Sequence, residues 1–146
     1  MNFFRTISIA VIAAFAFNNA TAADIKLPDY QSVTLDNGAT LLLMPRKDVP
    51  LIAASIAVRG GALADPAGKE GTADLLGDML SKGAGSRSAL QFAQTVDGSG
   101  GTIGFGSSRE AITANAQFLS RDSDLMLSLL ADALLRPKLD AAEFDK

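Results

Sequence analysis

The sequence predicts an α+β domain in which helices cover one face of a largely antiparallel sheet. Three observations carry this. Strand-like and helix-like stretches come in separate runs (three strands, two helices, two strands, one helix) instead of alternating singly. Leu51 to Arg59 sets Ile52, Ala54, Ile56 and Val58 on one face, and Ala111 to Leu119 sets Ile112, Ala114, Ala116 and Phe118 opposite Thr113, Asn115 and Gln117. Three other stretches repeat apolar residues at the three-and-four spacing of a helix.

Taken from its start, the chain opens on the positively charged Met1-Asn-Phe-Phe-Arg5. An apolar run from Ile7 to Phe17 follows, then the small-residue stretch Asn18-Asn-Ala-Thr-Ala22. That is the pattern of a secretory signal peptide over residues 1–22. The apolar run is shorter than the about 20 residues a membrane-spanning helix needs, so no stable membrane span is expected after cleavage. The mature protein is expected to be periplasmic or secreted. Cleavage leaves 124 of the 146 residues, a length suited to one small domain over residues 23–146. It removes Arg5 and no acidic residue, so the formal charge goes from −3 to −4. A nucleic-acid partner would want a basic face, and none is expected. With no cysteine, the exported fold must rest on its apolar core and not on disulfides.

The individual elements follow from local signals. Ala23 to Tyr30 is a polar lead-in. Gln31 to Leu35 and Thr40 to Met44 flank Asp36-Asn-Gly38, and an Asn-Gly pair between apolar runs is a strong hairpin signal, because both residues tolerate positive φ. Pro45 and Pro50 separate the second strand from the third, which Gly60-Gly61 ends. Gly68 to Lys82 reads as an amphipathic helix with Thr72, Leu75, Leu76, Met79 and Leu80 on one face and Asp74 and Asp78 together on another. Ser88-Ala-Leu-Gln91 fits a capping box opening a second helix with Ala89, Phe92, Ala93 and Val96 inward, stopped by Gly98-Ser-Gly-Gly101. Thr102 to Gly106 and Ala111 to Leu119 pair as strands. A third helix runs from about Asp122 to Leu135, with Met126, Leu129, Leu130, Ala133 and Leu134 inward and Pro137 beyond its end.

Several features invite a functional reading and find an ordinary one. Gly83-Ala-Gly85 and Gly98 to Gly101 lack the Gly-Lys-Ser/Thr ending of a phosphate loop, and turns explain them. Serine-based catalysis lacks a histidine base, because the chain contains no histidine. Ser107 to Glu110 reads as a solvated hairpin tip. Gly77 inside a helix costs about 1 kcal/mol relative to alanine. Close packing of Gly77 against a neighbouring element is the expected reason. Asp78 and Lys82 are spaced for an i, i+4 ion pair, whereas Glu70–Asp74 and Asp74–Asp78 repel.

The order of these pieces carries a resemblance. The hairpin at Asp36-Asn-Gly, the strand ending in Arg59-Gly-Gly, the helix with Asp74-Leu-Leu-Gly77-Asp78, Arg87-Ser-Ala with Gln91-Phe92, Gly100-Gly101, and Leu130-Ala-Asp-Ala-Leu-Leu-Arg-Pro137 together resemble the N-terminal domain of the insulinase, pitrilysin and mitochondrial processing peptidase family. Active members carry an inverted zinc motif, His-x-x-Glu-His. Laid on this chain, its two histidine positions are Asp74 and Asp78, and its glutamate position is Gly77. Two imidazoles one turn apart hold the ion, and the carboxylate between them activates water. Gly77 can take no proton from water.

The resemblance implies a non-catalytic relative with no cofactor of its own, where active members use zinc. It implies a zinc-competent homologous subunit as heterodimer partner and an extended peptide as substrate. The family builds each unit from two such domains, so the chain is expected to be a fragment of a longer protein, with the third zinc ligand, a glutamate, beyond Lys146. Glycine loops in the substrate-recognising subunits of processing peptidases give Gly98, Ser99, Gly100 and Gly101 a small claim on substrate contact. Two other readings stand beside this one. The chain is a stand-alone peptide-binding or structural module, or Asp74 and Asp78 hold a metal weakly and serve an atypical metallopeptidase.

Overall fold

The structure is a computed structural model that describes residues 28–146; the expected signal peptide lies outside the described residues. The chain divides into two units, Met1–Pro45 and Arg46–Lys146.

In the first unit, β1 (Gln31–Thr34) pairs antiparallel with β2 (Thr40–Leu43). The expected hairpin forms, with Thr34 opposite Thr40. Gly38 alone has positive φ, +83°, and its N–H donates to the Leu35 carbonyl at 2.8 Å. The Asn37 side chain instead accepts from the Ala39 N–H at 3.0 Å, so Asn37 acts through its amide and not through a left-handed backbone.

The second unit is built on a three-stranded antiparallel sheet in the order β3-β7-β6: β3 (Leu51–Arg59), β7 (Ala111–Leu119) and β6 (Thr102–Ser107). Register sets Ile52 beside Phe118, Ala54 beside Ala116 and Ile56 beside Ala114, with Ile103 and Phe105 completing the row on β6. Alternation puts all of these on one face. Helices cover that face: α1 (Thr72–Met79) packs on β6, α2 (Ala89–Gly98) reaches β6, and α3 (Ser123–Leu135) lies on β7. Phe118, Met126 and Leu129 are buried at the centre of the core. The expected α+β architecture is the observed one.

Smaller elements were not anticipated. A two-residue hairpin, β4 (Gly83–Ala84) with β5 (Arg87–Ser88), joins α1 to α2. The chain leaving α3 bridges to it at Pro137, with Gly85 N–H donating to the Arg136 carbonyl at 2.9 Å. A short helix, α4 (Ala141–Phe144), follows. α3 begins at Ser123, after a 3-10 turn over Ser120–Asp122.

The inward faces of two helices need correcting. On α1, Ala73, Gly77 and Met79 are buried, with Leu80 just past the end, whereas Thr72 and Leu75 are exposed. A helix lying close on a strand turns its smallest residues toward it, and a count of large apolar residues points elsewhere. On α2, Phe92 and Val96 are buried as expected, but Ala93 is exposed. The Ser88–Gln91 capping box forms as its sequence predicts, with Ser88 N–H donating to Gln91 Oε1 at 2.9 Å and Gln91 N–H to Ser88 Oγ at 3.3 Å.

Candidate functional site

The helix that carries the motif positions is held at its start by a carboxylate from outside it. Gly71, at the cap position, has no side chain to offer. Asp65, in the preceding loop, accepts from the N–H groups of Gly71 at 2.7 Å and Ala73 at 2.9 Å, which satisfies two otherwise free donors and places a negative charge at the positive end of the helix. Glu70 accepts from the Gly68 N–H at 3.1 Å. Its own backbone N–H, and then that of Gly68, hold its carboxyl below the ordinary glutamate range. Gly61 sets the other wall of this loop. A Cβ there would lie 2.1 Å from the Ser108 carbonyl oxygen, so only glycine fits where Ala62 and Leu63 hydrogen-bond to Ser108 and Arg109.

Gly77 is buried against β6. A Cβ at Gly77 would sit 3.2 Å from the carbonyl carbon of Gly106 and 3.4 Å from the Ser107 nitrogen. The close packing expected from the helix-interior glycine is what the structure contains. Asp74 and Asp78 are both exposed. Asp74 is not simply solvated, for it accepts a hydrogen bond from the Ser107 hydroxyl, which ties α1 to the end of β6. The Asp78–Lys82 pair does not form among the described residues. α1 ends at Met79, and Lys82 lies in the turn beyond, with its N–H on the Met79 carbonyl at 3.0 Å.

These residues are not the two imidazoles and the carboxylate base of the active zinc motif. Gly77 presents backbone and no base, and one oxygen of the exposed Asp74 carboxylate accepts from Ser107. Among the described residues, no three carboxylate, cysteine or histidine side chains gather around a common point. The Asp74–Ser107 contact is a latch between helix and strand.

Gly98 to Gly101 forms the exit turn of α2 immediately before β6. Ser99 Oγ donates to the Val96 carbonyl at 2.6 Å and accepts from Gly101 N–H at 3.2 Å. Gly100 has φ +67°, and a Cβ on Gly101 would lie 2.6 Å from the Phe118 ring. Both glycines are thus required by turn and core, whatever else this segment touches.

The contacts of two polar residues were not read from the sequence. Ser107 reads as part of a hairpin tip, and only the register of β6 brings it to the helix-covered face. Asp132 is 5% exposed on α3 and bridges two arginines: Arg87 Nη1 donates to its Oδ2 at 3.0 Å, and Arg136 Nη2 donates to its Oδ1. A signal was present for the second. Asp132 falls on the apolar face three residues after Leu129, with Arg136 one turn further on.

The family model for insulinase, peptidase family M16, matches residues 43–146. A solved peptidase M16 inactive domain from Pseudomonas fluorescens is similar over 79% of this chain and 28% of its own, with 23% identity and a TM-score of 0.73. A protease from Helicobacter pylori is similar over 80% of this chain and 28% of its own, with 24% identity and a TM-score of 0.71. The chain therefore spans little more than a quarter of either. No curated protein matches it.

Proposed function

We propose, from the premise that the chain belongs to the insulinase family, peptidase family M16, that it is a non-catalytic subunit of a periplasmic zinc metallopeptidase. It binds peptide substrate beside a zinc-competent homologous partner. The observation that carries this is Gly77: the position where active members place their general base has no side chain and is buried on β6, where even a Cβ would come 3.2 Å from the Gly106 carbonyl carbon. The inactive M16 domain among the similar structures supports the same reading. The substrate is an extended peptide laid along β6, an edge strand of the sheet among the described residues, with Gly98, Ser99, Gly100 and Gly101 at the entry to that strand.

The test uses the full-length mature protein and a quenched peptide library with zinc present. The protein is assayed alone and mixed with its nearest zinc-motif homologue. Silence alone and cleavage in the mixture, beyond what the homologue achieves by itself, is the expected result. Chelator-sensitive cleavage by this chain alone would overturn the reading and put a metal on Asp74 and Asp78. Silence alone with no gain in the mixture would make it a stand-alone binding or structural module.

A further inference from the structure

A shallow trough of about 390 Å³ lies against the start of α2, lined by Ser86, Arg87, Gln91, Gln94 and Thr95 and by none of the zinc-motif positions. We propose that this trough binds a peptide carboxylate, with Arg87 as its charged anchor.

The first argument is charge. The Asp132 carboxylate lies behind the trough, and each of its oxygens already has its own arginine, Arg87 on one and Arg136 on the other. Two guanidiniums against one carboxylate leave a net positive charge on a chain whose formal charge is −3. The nearest acidic residue along α2, Asp97, is not part of the lining. The second argument is preorganisation. Arg87 spends one guanidinium nitrogen on the buried Asp132 and keeps 29% of its side chain exposed, so its fork is fixed while donors remain. A ligand carboxylate thus meets a positioned arginine without the entropy cost of ordering a free one.

The third argument is what the neighbouring side chains have left to offer. Gln91 Oε1 is committed to the Ser88 N–H at 2.9 Å, so its NH₂ is the free end and can donate. The Thr95 hydroxyl donates to the Gln91 carbonyl at 2.7 Å, so only its lone pairs remain. The trough offers donors at Arg87 and Gln91 and an acceptor at Thr95. A carboxylate with an amide N–H beside it uses all three, whereas an isolated anion leaves the Thr95 acceptor unused. This inference does not depend on the chain lacking catalysis, since binding is measured with no partner and no cleavage.

The test is an NMR titration of the full-length mature protein with acetyl-Ala-Glu-amide, acetyl-Ala-Gln-amide, acetyl-Ala-Ala with a free C-terminus, and sodium acetate. The expected result is saturable shifts at Arg87, Gln91 and Thr95 with the Glu peptide or the free-terminus peptide, weakening with added salt. The tighter of these two identifies the carboxylate as side-chain or terminal. Among the described residues the Gln94 side chain makes no hydrogen bond, and it is exposed on α2, so Gln94→Glu adds repulsion without removing a contact. It should weaken binding about fivefold, and Gln94→Lys should tighten it. Binding of the Gln peptide as tight as that of both the Glu and the free-terminus peptides, indifference to Gln94→Glu, or acetate titrating the same signals at the same concentrations would each overturn the proposal.

Discussion

Asp74 and Asp132 each sit on a helix and each ties that helix to another element, yet they do so under opposite conditions. Asp74 meets one neutral hydroxyl, Ser107, in the open. Asp132 meets two guanidiniums with 5% of its surface left to solvent. The difference teaches how burial sets what a polar contact is worth. An exposed carboxylate that loses its partner regains water, whereas a buried one is left with an unmet charge. The end of the domain bearing the peptidase motif is therefore tolerant of polar change at its surface, and the α3 end is not.

The sharpest way to break this contrast is to put bulk beneath α1, where tolerance stops. Gly77→Glu, which restores the motif residue, has to drive α1 off the Gly106 backbone. It should cost about 3 kcal/mol, seen as a lower denaturation midpoint. Gly77→Ala is the control. The helix gains about 1 kcal/mol in propensity and spends it against a contact 3.2 Å away, so the net change should lie within about 1 kcal/mol of zero. If Gly77→Glu is as mild as Gly77→Ala, α1 is not seated on β6.

Arg87→Met comes next. It strips one partner from the buried carboxylate and should cost about 2 kcal/mol, while Arg136→Met, at a side chain 70% exposed, should cost under about 1 kcal/mol. Equal losses would mean that the two arginines share Asp132 evenly. Ser107→Ala should cost about 0.5–1 kcal/mol in the same measurement, because its partner Asp74 is exposed. A loss as large as that of Arg87→Met would abolish the contrast. The smallest effect belongs to Glu70, whose folded carboxyl lies below its unfolded value. Its contribution is full above the unfolded pKa and is lost as pH falls through the folded one. An NMR pH titration should find this carboxyl titrating below the model-peptide value, and Glu70→Gln should remove that acid-side dependence.

What the sequence made legible was what short segments decide for themselves. The Ser88–Gln91 capping box and the alternation of Ala111 to Leu119 depend on neighbours a few positions away, and both are in the structure as read. The turn at Asn37-Gly38 was legible as a turn but not in its type, because its geometry is shared with the strands it joins. The inward face of α1 was misread for a tertiary reason. Closeness to Gly106 selects Ala73 and Gly77, while periodicity weighs Thr72 and Leu75. Of the candidate site, the degeneracy of Asp74, Gly77 and Asp78 was plain. The partner of Asp74 was not, since Ser107 reaches it across 33 positions through strand register. Asp132 showed only as a charge on an apolar face.

The sheet's connectivity also orders the events by which it forms. β6 and β7 are joined by a short turn, with Ser107 opposite Ile112. β3 meets β7 only at long range, as at Ser55 and Asn115, 60 positions apart. Closing so long a loop loses chain entropy before any contact repays it. The β6–β7 hairpin with α3 is thus the natural nucleus, and β3 the last strand to zip on. Substitutions such as Ala116→Gly should slow refolding, whereas Ile56→Val should mainly speed unfolding. Until β3 arrives, the long edge of β7 is open, and that interval is when another chain could take the place β3 is meant to fill.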